Sequence, residues 1–213
     1  MSSPTIKIEG LTPGAPLPKP EIFKIKTDAQ AFQGTVRALL AENDPLLKSV
    51  SEPFDFENPR FGHPISIAQS LIMSMRAYGG VGIAAIQVGM PVRVLAVGYG
   101  EQNQVFFNPE IIAISAEKSK AKEGCISFPF CFTLVERAER IRVKFQNEKG
   151  ETKESDFSGY TARILQHEID HLDGICLPDK VSELTWKLIK DKSRGLYKKA
   201  LKMEKRQHVS GTR

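Results

Sequence analysis

Cysteine is scarce: the 213 residues hold 3, at Cys125, Cys131 and Cys176. So few, and an odd number, make a poor disulfide framework. The expectation is a reducing compartment, with thiols free for a metal or for catalysis. Tryptophan occurs once, and no apolar run approaches the roughly 18 residues of a membrane span. Residues 1–20 lack the apolar stretch of a secretory signal, and Glu9, Glu21 and Asp28 interrupt what an organellar transit peptide keeps free of acids. A cytoplasmic location is therefore expected and organellar targeting disfavoured. Neither a membrane nor sequence-specific DNA is expected as a partner. No internal repeat is present.

What remains is near the globular average, 41% hydrophobic and 26% charged, and long enough for one domain with appendages. The net charge of +5 is concentrated, because residues 180–213 hold 11 Lys+Arg against 3 Asp+Glu. Such a segment either meets a polyanion or forms a solvated helix packed on the body through Val181, Leu184 and Leu188. Five prolines between Pro4 and Pro20 argue against regular structure there, while residues 28–42 fit a short helix. A stronger helix is expected over 64–78, with Pro64 in its first turn, apolar residues at helical spacing, and Gly79-Gly80 to end it. Residues 92–97, 105–107, 110–114, 131–135 and 140–145 read as short strands. The tail reads as helical with a break at Gly195.

Residues 159–173 read as a helix that Ser158 can cap and Gly174 can stop. Ile164, Leu165, Ile169 and Leu172 surround it with apolar surface, so it is buried and its polar residues need a reason. The expected class is α+β: short-stranded mixed or antiparallel sheets around a buried central helix, plus a C-terminal helix.

That central helix carries His167-Glu168-Ile169-Asp170-His171, an HExxH pattern. Residues four apart lie nearly above one another on a helix, so both imidazoles can reach one ion, and Glu168 stands beside them as a base. The alternative is two satisfied core histidines. A catalytic site of this kind takes three protein ligands. The protease continuation HExxHxxGxxH fails at Leu177, and an acid some twenty residues on would be Asp191, inside the basic tail. A cysteine is left.

Two further motifs precede the helix: Gly80-Val81-Gly82-Ile83-Ala84-Ala85-Ile86-Gln87, and Glu123-Gly124-Cys125-Ile126-Ser127. With Gln166 to Gly174 they form the ordered set GxGxAAxQ, EGCxS, QHExDHLDG, which resembles the peptide deformylase family. Asp44-Pro45-Leu46-Leu47 resembles the start of its catalytic domain. The resemblance implies an N-terminal extension over 1–43, a catalytic domain over 44–178 and a basic helical tail over 179–213.

It also implies Cys125, His167 and His171 as ligands of one divalent ion per chain, natively Fe²⁺, with Zn²⁺, Ni²⁺ or Co²⁺ as alternatives. The implied reaction removes the N-formyl group from the initiator methionine of nascent polypeptides. Metal-bound water attacks, Glu168 acts as general base, and Gln87 and the Ile126 N–H stabilise the oxyanion. The peptide would lie beside Val81 and Gly82 and be bound also by Glu123 and Gly124, with Tyr160, Ile164 and Ala121 as the walls of its methionine pocket. Arg137 and Asp170 would pair behind the ligands. Cys131 and Cys176 are expected to be packed apolar thiols. The tail is expected to touch the ribosome. An HExxH zinc endopeptidase and a non-catalytic RNA-binding protein with a structural metal are the competing readings.

Overall fold

The computed structural model describes residues 34–99 and 102–210. The proline-rich start and residues 28–33 of the expected first helix lie outside them, as do the side chains from Ala200 onward, Met203 and His208 included. Residues 34–41 form no helix, contrary to expectation. Their amides go instead to the polar flank of α1 (Pro64–Ala77). Gly34 donates to Gln69 Oε1 at 2.9 Å, Thr35 to Ser70 Oγ at 3.1 Å and Arg37 to Ser74 Oγ at 2.9 Å. These long-range partners take up backbone N–H groups that a helix would have bonded internally. α1 is capped by His63, which accepts from the Ile65 N–H at 3.3 Å, and it closes at Gly79 with φ +66°.

Seven strands follow: β1 (Gly82–Ala84), β2 (Val94–Tyr99), β3 (Gln102–Ile114), β4 (Lys118–Cys125), β5 (Phe128–Ala138), β6 (Arg140–Gln146) and β7 (Thr152–Ser158). Five make an antiparallel sheet in the order β1-β2-β3-β6-β7, and β4-β5 form a separate hairpin. The expected strands at 105–107 and 110–114 are one strand. Asn108 interrupts its pattern with φ +50°, and its side-chain amide accepts from the Phe54 N–H and donates to the Phe54 carbonyl. β1, β4 and β7 were not foreseen. β4 (KSKAKEGC) shows alternation only as a row of exposed lysines, because its inward face carries Ala121 and Glu123 rather than a greasy stripe.

α2 (Gly159–Leu172) lies between the large sheet and the hairpin. Ser158 makes no side-chain cap bond, but Gly174 with φ +73° follows the last turn as expected. Ala162, Ile164, Leu165, Ile169 and Leu172 pack into one core with Ile86, Phe106, Val143 and Phe157. A second core joins α1 to β1 and β2. No helix among the described residues is long and apolar enough to cross a membrane.

α3 (Glu183–Ser210) runs through Gly195 without the expected break. One glycine costs a helix about 1 kcal/mol, which its neighbours offset. The docking face also differs from expectation. Leu184 and Leu188 point outward, 70% and 63% exposed, while Trp186 and Ile189 pack on Leu47, Phe128, Cys131 and Leu177. The Trp186 ring meets Phe128 edge-on, with centroids 5.5 Å apart. Burying the indole removes more apolar surface from water than either leucine would. Trp186→Ala is expected to cost about 2–3 kcal/mol in urea unfolding, and Leu184→Ala under about 0.5 kcal/mol. The reverse ranking would contradict this docking.

Candidate active site

Three chain segments converge on one point. The 3-10 turn Ala85–Val88 after β1 carries Gln87, the end of β4 carries Cys125, and the middle of α2 carries His167, Glu168 and His171. The ligand atoms of Cys125, His167 and His171 all lie within 4.8 Å of one another, the one such cluster among the described residues. Cys125 Sγ is 3.2 Å from His171 Nε2. The cleft above them is lined by Val81, Lys122, Glu123, Gly124, Tyr160, Arg163, Ile164, His167 and Glu168. Ala121, an expected wall, is outside that lining and pairs with Val135 in the hairpin.

Glu123 is not on the cleft surface alone. Its carboxylate is buried and receives Arg137 Nε and Nη2, both at 3.0 Å, and Arg163 Nη1 at 2.7 Å, while Oε2 also lies 3.0 Å from His167 Nδ1. Burial works to raise its pKa, but the hydrogen bonds from His167 and Arg137 outweigh it and hold Glu123 at about 2. Arg137 reaches on to Asp170 Oδ2 at 2.6 Å, as expected, and Lys180 meets the same oxygen at 2.8 Å.

Arg163 was not anticipated. It also donates to the Val135 carbonyl at 2.8 Å and to Ser119, locking both strands of the hairpin to α2. Its signal was an arginine placed between Ala162 and Ile164 on a buried helix, where an unpaired cation is untenable.

Gln87 is fixed by its own turn. Its Oε1 accepts from the Ala84 N–H at 2.8 Å, so the amide N–H₂ faces Ser127 Oγ at 3.0 Å and Cys125 Sγ at 3.6 Å. Ile126 follows Cys125 and packs toward the core of α1, and Val81 stands at the rim, 38% exposed. β1 is an edge strand of its sheet, beside the cleft.

The donor set fits a divalent ion. One sulfur and two imidazoles suit a first-row metal and leave a position open. Burial pushes the His167 imidazolium down, yet the Cys125 sulfur and the Glu123 carboxylate outweigh it and hold His167 up at about 10. A cluster that keeps a proton against its own desolvation is short of positive charge. His171, wholly buried and beside His167, is instead driven well below the ordinary histidine range.

Glu168 is 4% exposed, and its Oε2 has no hydrogen-bond partner among the described residues. Burial raises its pKa to about 7, against the pull of His167. An unfolded glutamate titrates near 4.3. Between those values the folded, chelator-treated protein keeps a proton that the unfolded chain has lost. Its stability therefore falls as pH rises from about 4.5 to about 7, and stays lower above. Glu168→Gln removes that penalty. It is expected to stabilise the chelated protein at pH 8 by on the order of 2–3 kcal/mol more than at pH 5, in urea unfolding. Equal effects at both pH values would exclude a buried, neutral acid.

A model of the polypeptide deformylase family matches residues 36–187. The peptide deformylase of Thermotoga maritima is 39% identical over 149 residues, 70% of this chain and 89% of that relative. Its crystal structure superposes with a TM-score of 0.64 at 38% identity, over 70% of this chain and 99% of that one. A Met-Ala-Ser-bound peptide deformylase from Acinetobacter baumannii gives 0.65 at 33% identity, over 70% and 100%. Matched over most of its length by sequence and by fold, the chain belongs to the polypeptide deformylase family of hydrolases.

Proposed function

We propose that this protein removes the N-formyl group from the initiator methionine of nascent polypeptides and releases formate, with Cys125, His167 and His171 holding one divalent ion. The observation that carries the reading is Glu168: a buried carboxyl with an unpartnered oxygen, beside a sulfur–imidazole–imidazole cluster at the floor of a cleft. When bound, the ion supplies an acidified water and a Lewis acid for the formyl oxygen. Fe²⁺ is assigned as the native ion, and Zn²⁺, Ni²⁺ and Co²⁺ suit the same donors.

Glu168 takes the proton of the attacking water and passes it to the leaving amine. A carboxyl near pH 7 is matched to both transfers. The Gln87 amide, its oxygen tied to Ala84, presents N–H₂ toward the place where carbonyl oxygen gains charge, with the Ile126 N–H as second donor. The peptide main chain lies along the open edge of β1 at Val81 and Gly82. Its methionine enters between Glu123, Gly124, Tyr160 and Ile164. Met-Ala-Ser, bound in the Acinetobacter relative, is such a deformylated peptide. Arg137 and Asp170 orient the ligands through Glu123 and α2.

This reading makes 44–178 the catalytic unit and 1–43 an extension. It assigns the basic tail, 179–213, to contact with the ribosome, and puts the enzyme in the cytoplasm. The endopeptidase alternative lacks its third ligand, since Leu177 is buried in the core under α3.

With Fe²⁺ under anaerobic conditions, formyl-Met-Ala-Ser should yield stoichiometric formate and no cleavage of internal bonds. Glu168→Ala should retain the ion and lose at least ~100-fold in kcat, whereas His171→Ala should lose the ion as well. Internal cleavage without formate would replace this function with the endopeptidase. Gly82→Ala tests the cleft wall. A methyl there would overlap the Glu168 carboxylate and stand 2.7 Å from Ile164 Cγ2. It should lower kcat/KM by ~10-fold or more with the ion still bound; unchanged kinetics would place Glu168 elsewhere.

A further inference from the structure

His171 is 1% exposed, and sulfur faces both nitrogens of its ring. Nε2 meets Cys125 Sγ at 3.2 Å, and Nδ1 lies 3.8 Å from Cys176 Sγ. Cys176 is 2% exposed and its own Sγ is 3.4 Å from the Leu47 carbonyl oxygen. The thiol proton therefore goes to Leu47, which leaves a sulfur lone pair turned to the imidazole. The sulfur is held there from two sides. Its backbone N–H donates to Asp179 Oδ2 at 2.7 Å, and its side chain packs with Leu47, Phe128 and Leu177.

The two histidines are thus backed differently. His167 Nδ1 rests on the Glu123 carboxylate at 3.0 Å, a strong acceptor, and His171 Nδ1 faces a thiol sulfur at 3.8 Å, a weak one. A ligating imidazole needs such a partner to fix which nitrogen keeps the proton and how the ring is turned.

We infer that Cys176 is a positioning residue, whose sulfur accepts the Nδ1–H of His171 and so presents Nε2 unprotonated toward Cys125 and His167. The inference rests on the metal reading above. It makes Cys176 more than the packed thiol expected from the sequence. Cys131 keeps that role: it is 0% exposed in the same apolar cluster.

The test is Co²⁺ affinity by chelator competition, with the Co²⁺ ligand-field spectrum, on the full chain and on Cys176→Ser, Cys176→Val, Cys176→Ala and Cys131→Ala. If acceptor strength matters, Ser should stay closest to the parent, while Val and Ala lose about 10-fold and shift the visible bands. Cys131→Ala should leave affinity and spectrum unchanged, though it loses comparable packing. If Cys176 only fills space, Val should match the parent and Ser and Ala should fall with volume, or Cys131→Ala should lose as much; either result overturns the inference. Should Cys176→Val not fold, the Ser–Ala difference decides, since equal affinities for those two also overturn it. A parent that binds no Co²⁺ would instead reject the metal reading itself.

Discussion

A buried carboxylate, Glu123, holds the halves of this site together. It sits on β4, and its partners Arg163 and His167 sit on α2, with Arg137 on β5. Isolated, such a charge would cost many kcal/mol to bury. Two guanidiniums and an imidazole make it tolerable, and in doing so they fix the hairpin against the helix. Cys125 lies two residues beyond Glu123 on the same strand. The network that neutralises Glu123 therefore also sets where the sulfur can be. Removing one member would strand its neighbours and cost on the order of 3–5 kcal/mol.

The chemistry follows from placing polar groups on a helix that the fold has buried. Burial raises Glu168 to about 7, which an exposed glutamate would not reach. The same burial fixes the rings of His167 and His171, because each outer nitrogen must find a partner inside the protein. The arrangement works against stability: an unpartnered Glu168 oxygen is a local penalty, carried by the three apolar cores around it. The rule that buried polar atoms are bonded is broken here at a group whose reading requires an oxygen with nothing else to bond.

Much of this was legible in the chain. HExxH on a helix that is greasy on most sides required a buried metal or a satisfied pair, and the resemblance of all three motifs to the deformylase family favoured the metal. Gly79 and Gly174 marked the ends of α1 and α2, and the odd cysteine count pointed to free thiols. Other elements were hidden for physical reasons. β4 shows no apolar stripe because its inner face carries Ser119 and Glu123, which receive Arg163. Residues 34–41 match a helical pattern but find better partners on α1, far away in sequence. Leu184 and Leu188 look like a docking stripe, yet the single tryptophan outweighs them.

The sequence alone determined which side chains are available, their spacing along α2, and the class of reaction they resemble. Those depend on covalent order and on the 3.6-residue turn, which need no long-range information. Only the tertiary structure decided that Arg163 and Glu123 share a site, that Cys176 faces His171 while Cys131 does not, and that α3 docks through Trp186. Each of these joins residues from separate segments, and which of them meet depends on how whole faces bury together, a quantity no local pattern carries.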